Sequence, residues 1–246
     1  MNELMNNDEL NPSEESKPFE IRDNSKRAKT LLIVFWILIA LVFIGLFTGY
    51  NELQILQKLQ VGEYVSDQEI ETSDLVQAIM GFSQFGLYII SIIVFLNWFR
   101  RAYGNLHRLG IEYVKHQESM AVWAWGIPIV WFYRPVQIMN EIWTETQDQI
   151  KKLDASHIIT NGDLIIGVWW ALFVISNFIG RYILKTAFKE DTIEEIITGT
   201  EAMLISDLIQ IPEALMVVLI VRKLSSLEAK LANEIVKSGG KVVYDL

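Results

Sequence analysis

Apolar residues fall along this chain in long blocks, without the period of 2 or 3.6 that marks a half-buried strand or a soluble amphipathic helix. The block "TLLIVFWILIALVFIGLF", starting at Thr30, has no polar face to turn towards water. About 20 predominantly apolar residues let an α-helix cross the hydrocarbon of a bilayer. Four stretches reach that length: Thr30 to Tyr50, Leu75 to Phe99, Leu164 to Leu184 and Ala202 to Val221. The pattern predicts an all-α, polytopic membrane protein with four transmembrane helices.

A further apolar stretch, "MAVWAWGIPIVWFY" from Met120 to Tyr133, is too short to span. Pro128 and Pro135 remove amide donors and clash with the preceding turn, so helix is interrupted or ended there. Residues 120–135 are read as a re-entrant or interfacial element, with Trp123, Trp125, Trp131 and Tyr133 at headgroup level. The other reading has these rings plug the inner mouth of the bundle. Over 136–153, Met139, Ile142, Trp143, Ile150 and Leu153 share one face of an amphipathic helix. Leu224, Leu227, Leu231 and Ile235 repeat the pattern within 223–246. Residues 1–25 read as a disordered acidic tail, and 26–222 as the membrane domain.

Charge gives the orientation. Lys and Arg in short flanking loops mark the cytoplasmic side. Arg22, Lys26, Arg27 and Lys29 precede the first span, and Lys58 stands alone in the first acidic loop. Arg100, Arg101, Arg108, Lys115, Arg134, Lys151 and Lys152 crowd the long middle loop. Lys185 and Lys189 are outnumbered by carboxylates in the next loop, and five basic residues follow the last span. The expected topology is N-in and C-in, with the middle loop and its amphipathic helices cytoplasmic and two acidic loops outside. The net charge of −9 hides this sorting. The absence of cysteine excludes disulfides and thiolate chemistry.

The stretches "NWFRRAYGNL", "WAWGIPI" and "RPVQIMNEIW" resemble the family called domain of unknown function 4328 (DUF4328), over roughly residues 75–225. Its motif residues fall here on Trp98, Arg100, Asn105, Trp125, Pro128, Pro135, Gln137 and Glu141. The resemblance implies a multi-pass bacterial inner-membrane protein, and it attaches no activity.

Polar side chains at membrane depth are functional candidates by default, because their burial is costly. Gln77, Gly81, Gln84, Tyr88 and Ser91 form one stripe down the second span. Asn177 and Arg181 share a face of the third, and Ser206, Gln210 and Glu213 a face of the fourth, with Asp207 beside it. Gln77, Gln84, Asn177, Arg181, Asp207, Gln210 and Glu213 are the candidate buried polar layer. The helix rise puts Arg181 and Asp207 at similar depth, which makes them a candidate ion pair. Glu213 lies nearer mid-bilayer, just after Pro212, whose missing amide leaves the Leu208 carbonyl without a partner. "GLFTG", Gly45 to Gly49, is a GxxxG match at the outer end of the first span. On the cytoplasmic side, Arg100, Arg101, Asn105, Trp125, Arg134 and Glu141 form a candidate surface for anionic lipid or a partner.

No H-E-x-x-H, G-x-S-x-G, phosphate-binding loop or cysteine cluster is present, and His107, His116 and His157 fit no familiar metal set. No catalytic, metal or cofactor site and no nucleic-acid partner is therefore expected. The primary reading is a non-enzymatic interaction, structural or sensory protein of the inner membrane. Its expected partners are the lipid bilayer, including anionic lipids, and a second copy or another membrane protein. The alternative is a small ion or proton channel or transporter built around Glu213. The third is a membrane enzyme with its site at the inner surface near Arg100, Arg101, Asn105 and Glu141.

Overall fold

The computed structural model describes residues 20–111, 114–186 and 192–244. In chain order they form strand β1 (Glu20–Arg22), helices α1 (Ser25–Gln60), α2 (Asp67–Arg108) and α3 (Met120–Trp123), a 3-10 turn at Val130–Phe132, helices α4 (Arg134–Leu153), α5 (Asp163–Thr186) and α6 (Ile193–Lys237), and strand β2 (Lys241–Val243). Four of these helices, α1, α2, α5 and α6, are long and apolar enough to cross a membrane. They leave large apolar side chains without packing partners, among them Ile33, Phe43, Phe47, Phe82, Phe85 and Phe178. So much unpartnered apolar surface suits hydrocarbon rather than water.

Helix ends follow local chemistry. Ser66 caps α2 by accepting from the Glu69 amide at 3.3 Å, and Thr192 and Glu195 form a reciprocal capping box at the start of α6. At about 1.5 Å per residue, the 45 residues of α6 run roughly 65 Å, twice what a bilayer core requires. The expected separate amphipathic helix after residue 222 is the end of this same helix. Nothing in "VRKLSSLEAKL" stops the helix, since the run holds neither Gly nor Pro. Pro212 lies inside α6, and the helix continues through it.

Helix α1 packs on both α2 and α6, and α5 packs on α6, whereas α2 and α5 share no extended packing. The densest core lies at one end, here called the base. Leu31, Trp98, Phe99, Leu106, Ile138, Met139, Ile142, Val221 and Leu224 are fully buried there. Helix α4 lies across the base with its predicted apolar face inward, and Ile150 joins Leu231 and Ile235 in a smaller cluster.

Two short strands correct the all-α expectation. β1 and β2 pair in parallel, with Glu20, Ile21 and Arg22 opposite Lys241, Val242 and Val243. Both ends of the described chain thus meet at the base. Residues 20–25, expected to belong to a disordered tail, form β1 and the start of α1. Residues 1–19 and 187–191, the rest of that tail and the centre of the second acidic loop, lie outside the described residues.

Candidate functional site: an acidic cavity walled by aromatic rings

The base is held by side chains that satisfy backbone groups. Asn105, on α2, donates through Nδ2 to the Arg22 carbonyl at 2.8 Å and accepts from the Arg22 amide at 3.0 Å. Its amide occupies the edge of β1 that β2 leaves free, so the strand has a partner on each side. Gln147, fully buried on α4, accepts the Thr160 amide at 2.7 Å and donates to the Thr160 carbonyl at 3.0 Å. The Trp143 indole donates to that carbonyl at 2.8 Å, fixing the entry to α5. Gly162 is required there, because a Cβ would lie 2.5 Å from the Trp143 ring.

Tyr103, His116, Arg134 and Glu141 form a second network at the base. The Tyr103 hydroxyl donates to Glu141 Oε2 at 2.8 Å and accepts the His116 amide at 3.3 Å. Burial first, and then the hydrogen bond to Glu141, push the Tyr103 hydroxyl above its ordinary pKa. Burial and the neighbouring Arg134 guanidinium hold the His116 imidazole below its ordinary value, and Arg134 Nη1 lies within hydrogen-bond distance of both its ring nitrogens. Beside β1, Asn24 donates to Glu228 at 3.1 Å. Burial raises the Glu228 carboxyl to about 7, against the opposing pull of the Asn24 hydrogen bond.

The tryptophan stretch joins this base to the interior. Trp125 packs edge-on against Phe95 and Phe99 of α2 and Trp170 and Phe173 of α5, filling the wedge between those helices. Trp131 reaches Phe173, ten residues into α5, and Trp170 Nε1 donates to the Phe132 carbonyl at 3.1 Å. Ile129 is held at a φ of 67°, a strained setting for a β-branched residue, just before the 3-10 turn that aims Trp131 inward.

Above Trp125, between α2 and α5, lies a cavity of about 280 Å³. Six aromatic side chains line it: Phe35, Tyr88, Phe95, Trp125, Trp169 and Phe173. Asn177, Gln210 and Glu213 supply its polar wall, with Ser91 opposite. Glu213 Oε2 accepts the Ser176 hydroxyl at 2.5 Å, and among the described residues this is its one hydrogen bond. No Lys, Arg or His appears among the described residues of the lining.

The expected polar layer therefore divides. Asn177, Gln210 and Glu213 meet at the cavity. Gln84 donates to Asp207 at 3.4 Å where both press on Gly45 of α1, and a Cβ at Gly45 would collide with Gln84 Nε2. The GxxxG pair thus serves packing within the chain, since a Cβ at Gly49 would lie 3.0 Å from Leu204. Gln77 lies apart, in a groove with Asn51 and Ser66. The Arg181–Asp207 pair does not form: Asp207 takes Gln84, and Arg181 lies over the Trp131 ring at 5.5 Å. The candidate basic surface is not one open face either. Asn105 is buried in the β1 clasp, and Trp125 plugs the bundle. Arg134 and Glu141 belong to the Tyr103 network, whereas Arg100 is exposed beside Glu118 at 3.5 Å, and Arg101 donates to the Asp23 carbonyl at 3.4 Å. Tyr103, His116, Gln147 and Ser176 were missed as site residues, because no spacing in the sequence links them to their partners.

The model of the family described as "Domain of unknown function (DUF4328)" matches residues 62–226. That segment holds α2 to α5 and most of α6, and with them every cavity residue except Phe35 and Leu38. No curated protein and no solved structure matches the chain.

Proposed function

The chain belongs to the DUF4328 family, and from that footing we propose a sensory protein of a bacterial inner membrane that reads a ligand bound beside Glu213. In this reading both termini and the base are cytoplasmic, because the basic residues of the chain cluster there. Residues 120–133 re-enter the bilayer from that side. One observation carries the function: Trp125 is at once a wall of the cavity and part of the loop that leads into the Tyr103–Glu141 network. A ligand pressing on that ring acts on the base directly.

Topology is tested in a background without cysteine. A single cysteine at Ser66 takes a membrane-impermeant maleimide from outside, and one at Ser238 does so after lysis; the reverse pattern ends the orientation. Function is tested by filling the cavity with Ala214→Trp and following hydrogen exchange at 114–134. Slower exchange there, absent in a lipid-facing Phe47→Trp control, is the expected result. Equal exchange in both variants overturns the reading.

A second reading, a proton or cation transporter, draws on Glu213 itself. The rings of Trp125, Trp169 and Phe173 close the cavity towards the base, which favours binding over conduction. Ion flux above background in proteoliposomes, lost in Glu213→Gln, would decide for transport.

A further inference from the structure

The lining of the cavity selects the chemistry of its occupant. Glu213 is the one carboxylate in it, has the single hydrogen bond from Ser176, and faces no cation among the described residues of the wall. A carboxylate far from water is costly unless a positive charge joins it. The aromatic rings add a second preference for positive charge, because their faces carry the negative part of the ring quadrupole. Arg181, one turn beyond Asn177, is exposed and engaged with Trp131, so it does not supply the missing charge.

We propose that the cavity binds a lipophilic organic ammonium, its charge against Glu213 and its apolar part among Tyr88, Phe95, Trp125, Trp169 and Phe173. The proposal rests on the ligand-binding reading above and names the class of ligand. A volume of about 280 Å³ holds a small amine with one ring or a few short chains, and not a phospholipid. Asn177, whose Nδ2 donates to the Phe173 carbonyl at 2.9 Å, and Gln210 add side-chain amide dipoles to the same wall. Entry is from the bilayer between α2 and α5, which both line the cavity and share no extended packing. Such a ligand partitions into lipid before it meets the protein, so the side opening suits it better than a pore to water.

The test uses the full chain in detergent micelles and three small probes of similar shape. Benzyltrimethylammonium carries the charge, neopentylbenzene is its uncharged carbon analogue, and phenylacetate reverses the sign. Binding is measured by calorimetry or by equilibrium dialysis. The expected result is at least tenfold tighter binding of the cation than of either other probe. Glu213→Gln should remove that preference while leaving the weak binding of neopentylbenzene unchanged. If the neutral or the anionic probe binds as well as the cation, the cation assignment is overturned and a ligand-binding cavity still stands. If no probe binds to wild type, and Ala214→Trp leaves exchange at the base unchanged, both readings are overturned together.

Discussion

The base and the cavity use polar side chains in opposite ways. At the base, Asn105 and Gln147 each satisfy both backbone groups of one residue, Arg22 and Thr160. Their hydrogen-bonding capacity is spent on the fold. In the cavity, Glu213 has one partner, and Asn177 and Gln210 border open space. Polar side chains are costly to bury in either place, a carboxylate more so than an amide. The difference is that one set fills its capacity across the fold, whereas among the described residues Asn177 and Glu213 each make a single bond, to Phe173 and Ser176 of α5.

The comparison breaks first where the base is cut. Asn105→Ala strands the amide and carbonyl of Arg22, and Gln147→Ala strands the amide of Thr160, whose carbonyl keeps the Trp143 indole. At about 1–3 kcal/mol per unsatisfied group, Asn105→Ala should lose about 2–4 kcal/mol and Gln147→Ala about 1–3 kcal/mol of stability in thermal unfolding followed by helical circular dichroism. A loss below 1 kcal/mol in both would show that the base is not what holds the bundle. Next in size is Gly45→Leu, which drives a side chain into Gln84 and Asp207; overpacking there should cost about 1–3 kcal/mol without touching the cavity.

A smaller effect depends on pH. Glu228 has its folded pKa raised to about 7, above an unfolded value of about 4.3. The folded state therefore holds the proton longer, and its stabilising share is complete below the unfolded value and lost as pH rises towards 7 and beyond. Glu228→Gln should melt higher than wild type at pH 8 and match it at pH 4.5. Parallel melting curves at both pH values would show that the carboxyl is not buried as the base requires. The smallest effect expected is that of Glu213→Gln, a change of less than about 1 kcal/mol in stability. A large loss there would make Glu213 part of the scaffold and erase the contrast between the two regions.

Much of the fold was legible, because hydrophobic length is a local property. The four spans needed only an apolar count, and the faces of α4 and the end of α6 needed only a period. The buried set Met139, Ile142, Trp143 and Ile150 follows from that spacing alone. The strands were invisible: three residues each at opposite ends of the chain carry no pattern, and their pairing exists only once the bundle has formed. Glu213, Gln210 and Asn177 were legible as members of a costly polar layer. That Arg181 would choose an indole over Asp207 was not, because depth along a helix does not give the direction of a long side chain.

The pairing of β1 with β2 has a consequence for how the molecule is made. The first strand leaves the ribosome early and waits, half matched by Asn105, until translation delivers β2 after all four long helices. A chain lacking Lys241–Val243 would leave one edge of β1 without its partner strand. The closing of that two-stranded sheet thus waits on residues that follow every long helix.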